Sequence, residues 1–284
     1  MRGQAVALTL AGRVPERAWK PLVGGMAKVV SARPPRQVRQ WQLNLETATG
    51  VRPDAALTRL GLESWGRNLF ESLQLGSWSS EKVMDSIVIT PEERSRLMDA
   101  HATTGAVVAL PHLGNWDLGG AWACLEGMPV ATVAEQLDPA EFRVFLEARE
   151  RLGFTVYGHR QERLVDRLCD DLRNGHLVAL VSDRDFSRTS VSAQWPTPAG
   201  PVEVSMPPGP ARIALETGAT LLGMACFYEG SKMRLVVSEP VAHVPGVGGV
   251  AVMMQEMCDF FASQVAAHPE DWHMLQPVFR DVRA

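Results

Sequence analysis

Ala106-Val-Val-Ala-Leu110, followed by Pro111-His-Leu-Gly-Asn-Trp-Asp117, is the stretch on which the reading of the fold turns. Five consecutive apolar residues are too few for a buried helix, and they lack the alternation of a strand with one wet face. They read as a strand covered on both sides. Runs of the same kind recur at Pro129 to Ala134, Phe154 to Tyr157, Leu177 to Ser182 and Leu221 to Tyr228. Helix-like segments such as Pro139 to Leu152 and Gln161 to Asn174 lie between them. That order predicts an α/β fold, a three-layer α/β/α sandwich around a central, largely parallel mixed sheet. Ser86 to Thr90 adds an early strand, Met233 to Ser238 a late one, and Gly249 to Ala267 a closing helix. The segment from Phe186 to Val204, rich in Ser, Thr and Pro, reads as a long loop.

Upstream of the strand pattern the chain reads as helical to about Trp78, with breaks at Pro34-Pro35 and from Gly50 to Pro53 before Asp54 opens a new helix. Thr90-Pro91-Glu92-Glu93 is a helix start, with a capping hydroxyl, a proline in the first turn and acids at the positive helix end. Residues 1–85 are thus expected to form an N-terminal helical region that packs on the core, and residues 86–284 the α/β core, the two integrated as one domain. The run from Ala5 to Gly12 reads as helix, since its flanks do not suit a cleaved leader.

Composition narrows the function classes. With 284 residues, 46% of them hydrophobic, the chain can bury a sizeable core and is not a disordered segment. The net charge of −4 hides an asymmetry. Between Met1 and Gln40 eight basic residues face the single acid Glu16, a local excess of +7 that leaves −11 for the remainder. These cations alternate with apolar residues such as Trp19, Leu22, Met26 and Val29, a pattern that suits the surface of an anionic bilayer; a basic helix docked on an acidic body is the other reading. No apolar run reaches the roughly 18 residues of a spanning helix. Nucleic acid is not an expected partner, because the body is acidic and has no aromatic-basic motif. Cys124, Cys169, Cys226 and Cys258 form no CxxC pair, so a reducing compartment is expected and no metal site.

His112 follows the strand at the place where α/β sheets gather their chemistry, beyond a strand's carboxyl end and before a helix amino terminus. The offset to Asp117 would let a carboxylate return toward the imidazole and leave the other ring nitrogen as a base; Asp117 as a plain helix-capping acid is the alternative. The chain has no G-x-S-x-G, H-E-x-x-H, strand-linked G-x-G-x-x-G or P-loop.

Leu110 to Asp117, Thr132-Val-Ala-Glu135, Arg149-Glu-Arg-Leu-Gly-Phe154, Ser182-Asp-Arg-Asp185, Gly209 to Ala219 and Asp271-Trp-His-Met-Leu-Gln-Pro277 together resemble the lauroyl/myristoyl lipid acyltransferase family, and within it the actinobacterial phosphatidylinositol mannoside branch. The resemblance implies transfer of a fatty acyl chain from acyl-CoA, a co-substrate and not a cofactor, to a hydroxyl of a glycolipid or another acceptor. It implies His112 as general base and a second carboxylate at Asp183, where that branch carries Glu. The missing methylene means that either the backbone lies nearer to His112 or Asp117 takes more of the load. Glu135 is implied to border the acceptor or support the base, and Arg149 and Arg184 to meet phosphates. A surface pair within the helix is the alternative for Arg149, and a pair with Arg184 or Arg188 for Asp183. An oxyanion site could lie in the Leu113 to Trp116 turn or at the turn before Ala211, and Trp116, Trp122, Met128, Phe142, Met253, Met254 and Met257 could line an acyl slot, although plain core is the more common place for each. For His273 packing is expected, and for the protein a peripheral place on the cytoplasmic face of the cell membrane. A natural-product hydroxyl as acceptor, or a non-catalytic lipid-binding protein on this scaffold, are the rival readings.

Overall fold

A computed structural model describes residues 11–136, 139–185, 189–279 and 282–284, with the side chains of 139–142, 144 and 145 also outside the description. Ala5 to Gly12 falls largely outside these residues.

The sheet is built as the apolar runs predict. β1 (Ile87–Val88), β2 (Ala106–Leu110), β3 (Val130–Ala134), β4 (Thr155–Gly158), β5 (Leu177–Val181), β8 (Thr220–Glu229) and β9 (Lys232–Val237) form one seven-stranded sheet in the order β1-β9-β8-β2-β5-β3-β4. Pairing is parallel throughout except where β9 runs antiparallel to β8. β2 sits near the centre, between β8 and β5, and all five of its residues are buried. Its side chains alternate between two cores. Val107 and Ala109 face the layer of α8 (Leu164–Arg173), α9 (Gly209–Thr217) and α10 (Gly249–Ala267). Ala106, Val108 and Leu110 face α5 (Pro91–Thr103) and α6 (Trp116–Leu125). α7 (Pro139–Arg151) lies between β3 and β4 in the chain.

The helical start and its caps follow from local chemistry. α1 (Glu16–Ala32), α2 (Arg36–Thr49), α3 (Ala55–Gln74) and the short α4 (Ser80–Asp85) precede the sheet. The Asp54 carboxylate accepts from Leu57 N at the start of α3. At α5 the Thr90 hydroxyl and the Glu93 carboxylate satisfy each other's backbone N–H in a capping box. This cap also explains why the early strand is only two residues long, since Thr90 already belongs to the helix start.

One expectation is corrected. Phe186 to Val204 is not a structureless loop: β6 (Val191–Trp195) and β7 (Val202–Met206) pair antiparallel as a hairpin. Ala193, Trp195, Val204 and Met206 point inward and the residues between them outward, a period of two that the Ser/Thr/Pro composition conceals. The Gln255 amide of α10 grips the hairpin edge through the backbone N and O of Gln194, at 2.7 and 2.8 Å.

Candidate active site

Strand register brings the central residues together. β2 and β5 are parallel neighbours with Leu110 opposite Val181, and Ser182 N donates to Leu110 O at 2.7 Å to continue the ladder. Two residues beyond each strand are His112 and Asp183, which therefore meet at the carboxyl edge of the sheet. Asp183 Oδ1 lies 2.5 Å from His112 Nδ1, and Oδ2 accepts from His112 N and from Trp272 Nε1, both at 2.8 Å. Burial alone would raise this carboxyl; the charge and hydrogen bond of His112, with the Trp272 and backbone donors, hold it below its ordinary range. In the neutral ring, the nitrogen that faces the carboxylate, Nδ1, carries the proton, and Nε2 carries the lone pair. Asp183 is fully buried while the His112 side chain stays 24% exposed, so the ring can reach a substrate. The Trp116 indole meets the ring edge to face at 5.4 Å.

Asp117 does not meet the imidazole. It lies in the first turn of α6 and faces α7, where Arg149 Nε and Nη2 bind its two oxygens at 2.7 and 3.1 Å. Burial opposes the charge on Arg149, and Asp117 more than offsets that. The surface pair considered for Arg149 is replaced by this cross-helix fork, which also occupies the edge expected to meet a phosphate. Glu135, beyond β3, and Arg184, beyond β5, lie 3.5 Å apart as a half-buried ion pair at the same sheet edge. Burial lowers the Arg184 pKa, against the pull of Glu135 and Asp183. Asp183 is thus committed to His112 and not to Arg184; Arg188 lies outside the described residues.

Beside the dyad a narrow apolar cleft of about 600 Å³, open mouth included, runs between α6 and the sheet. Leu110, Trp116, Val181, Thr132 and Phe154 line it, and the Asp117–Arg149 pair forms part of its wall. The slot residues expected from the sequence divide. Trp116 lines the cleft, whereas Trp122 and Met128 are fully buried core, and Met253, Met254 and Met257 lie across the sheet under α10. The Phe142 side chain lies outside the described residues. Of the N–H groups in the turn, Leu113 donates to Pro111 O and Gly114 to Asp271 O, and among the described residues those of Asn115 and Trp116 at the start of α6 have no backbone partner.

Sequence reasoning marked Asp271 to His273 as part of a family-like block and expected only packing of His273, without a link to the dyad. It lies antiparallel against the His112 turn: Gly114 N donates to Asp271 O, Leu113 bridges Trp272, and His273 N donates to His112 O at 2.7 Å. His273 itself is a buried polar hub. Its Nδ1 accepts from Asn68 Nδ2, and its Nε2 donates to Ser64 Oγ, which in turn donates to Asp271 Oδ1. Burial, with the His112 charge, pushes His273 down to about 3, and burial pushes Asp271 up to about 6. The visible signal was the string of polar residues in α3, at Ser64, Asn68, Glu71 and Ser72, one helical face that ought to have been apolar.

A part-exposed imidazole backed by a buried carboxylate, beside an apolar cleft, defines a class of site: one suited to a molecule with a small polar group next to a long greasy one. The sequence places the chain in a known family. Residues 4–281 match the family described as bacterial lipid A biosynthesis acyltransferase, and the chain belongs to that family. It is 38% identical over 257 residues to the phosphatidylinositol mannoside acyltransferase of Mycobacterium tuberculosis, covering 86% of this chain and 76% of the relative. It is 34% identical over 287 residues to the protein of that name from Mycolicibacterium smegmatis, covering 97% and 90%.

Proposed function

We propose that this protein transfers a fatty acyl group from a thioester donor such as acyl-CoA to a hydroxyl of a glycolipid such as a phosphatidylinositol mannoside, with His112 as general base. The observation that carries this is the His112–Asp183 pair, whose imidazole meets Trp116, an indole that lines the apolar cleft. The acceptor hydroxyl donates to Nε2, and its proton passes to the ring as its oxygen attacks the thioester carbonyl. Asp183 stabilises the imidazolium that forms. The N–H groups of Asn115 and Trp116 at the start of α6 receive the oxyanion. When the tetrahedral intermediate collapses the C–S bond breaks, and the thiolate takes the proton back from Nε2. The donor's tail occupies the cleft, and the Glu135–Arg184 pair borders the acceptor's polar head.

The relatives' names support a mannolipid acceptor, and the family supports acyl transfer. α1 supports work at an anionic membrane surface. Trp19 stacks on Phe70 and Val23 packs over Gly66, so one side of α1 seats on α3. On the other side Leu22, Met26 and Val29, at i, i+4 and i+7, are 56, 59 and 72% exposed, flanked by the exposed cations Lys20 and Lys28. Among the described residues no helix is long and apolar enough to cross a membrane.

Purified protein with palmitoyl-CoA, assayed for free CoA with and without a mannosylated phosphatidylinositol, tests the reading. Release is expected only with the mannolipid. Release with water alone would make the protein a thioesterase, and no release with any alcohol would leave a lipid-binding protein.

A further inference from the structure

We infer that Trp272 is a positioning residue: its indole N–H fixes the direction in which the Asp183 carboxylate faces, and through it the orientation of the His112 ring. The inference rests on the proposed role of His112 as base. A carboxylate turns easily about its last side-chain bond, whose torsion is broad. Asp183 has two oxygens to place, and only Oδ1 faces the imidazole. Oδ2 is held by two N–H groups, one from the His112 backbone and one from the indole. Without the indole, Oδ2 keeps one donor, and the carboxylate is held only by His112, the residue it has to orient. Apart from His112, the charged group beside Asp183 is Arg184, whose guanidinium pairs with Glu135. Trp272 is thus a neutral donor that orients the acid without competing for its charge.

The indole is itself over-determined, as a positioning group must be. It is fully buried and stacks on Trp195 of β6 at 5.7 Å and 25°, and Trp195 meets Phe279 edge to face at 5.8 Å. The Trp272 carbonyl accepts from Trp41 Nε1 of α2 at 2.6 Å. α3 lies so close to that ring that a Cβ on Gly61 would come within 2.5 Å of it. Because Asp271 to His273 also pairs with the backbone of the His112 turn, one segment grips both members of the dyad.

Shape and hydrogen bonding are separated by placing 3-benzothienylalanine at position 272 of the full chain, which keeps the bicyclic ring and replaces N–H by sulfur. Trp272→Phe serves as a second variant. The benzothienyl protein is expected to keep its thermal midpoint while kcat falls about 10- to 100-fold with both KM values nearly unchanged. The acid limb of its rate profile is expected to move to higher pH, because an anion that loses a donor is protonated more readily. In the free protein a far-downfield Nδ1–H proton resonance is expected for His112, and it is expected to move upfield or broaden in both variants. Wild-type kcat together with an unmoved resonance in the benzothienyl protein would overturn the inference and leave Trp272 as packing. The resonance needs no turnover, so a wild-type protein that transfers no acyl group but whose resonance responds would retire the proposed chemistry and keep the positioning.

Discussion

Asp183 reaches His112 although it is one methylene shorter than glutamate, because the backbone does the spanning. The two residues stand opposite each other in the extended β2–β5 register, and the backbone N–H of His112 itself binds the carboxylate. This answers the question left open by the sequence, where Asp117 was the rival partner. Two substitutions separate the acids. Asp183→Asn keeps the shape but disturbs the ring tautomer, so kcat is expected to fall by roughly 10³- to 10⁴-fold with little change in donor affinity. Asp117→Asn is expected to act through Arg149: a half-paired buried guanidinium should lower stability by roughly 2–4 kcal/mol, read as a drop in denaturation midpoint, with a smaller effect on kcat. His112→Ala should cut kcat by about 10²- to 10⁴-fold while acyl-CoA binding by calorimetry persists. The short sequence offset drew attention to Asp117, yet its partner lies on another helix, and no local pattern announces such a pairing.

Elements with an uninterrupted apolar character were legible, and those whose logic is tertiary were not. β2, β3, β5, β8 and α10 fall where their residues demand, because burial on both sides or a full helical face requires it. The β6–β7 hairpin was hidden by polar outward positions, and the importance of Asp271 to His273 depends on which turn that segment lies against. At that turn Gly114 sits at φ +59°, and a Cβ there would come within 2.3 Å of Cys226 O. Gly114→Ala should therefore cost at least about 2 kcal/mol of stability and displace the backbone between His112 and α6, with loss of turnover. The short 3-10 turn Pro269–Asp271 carries the other test. Asp271 binds a proton more tightly folded than unfolded, so its contribution to stability is full below about pH 4 and lost as pH rises through about 6. His273 works the other way, its contribution being full above about pH 6.5 and lost as pH falls toward 3. Asp271→Asn keeps an acceptor for Tyr228 N and is expected to raise the melting temperature at pH 8 but not at pH 4. An equal gain at both pH values would contradict the assignment.

Over the whole molecule the charge asymmetry read from the first forty residues maps onto α1, α2 and the turn between them, where Arg17, Lys20, Lys28, Arg33, Arg36 and Arg39 are exposed. The apolar stripe on α1 could not be separated from its seated side by sequence, because both sides carry apolar residues at helical spacing. Leu22→Ser with Met26→Ser and Val29→Ser should weaken co-sedimentation with anionic vesicles without changing the melting temperature. Binding by the unaltered protein should fall as salt rises. Undiminished recovery on neutral vesicles at high ionic strength would rule out electrostatic docking.

His112, Asp183 and Trp272 come from far-separated parts of the chain, and the last of them also ties down the loop that holds the first. During synthesis, the histidine and the aspartate emerge from the ribosome long before the tryptophan does. A chain in which Asp271 to His273 has not yet emerged therefore lacks the anchor of the His112–Asp183 pair. Such distant contacts also close late in folding. The dyad is consequently complete only when three distant stretches have packed together, and any loosening of Asp271 to His273 is felt at both of its members.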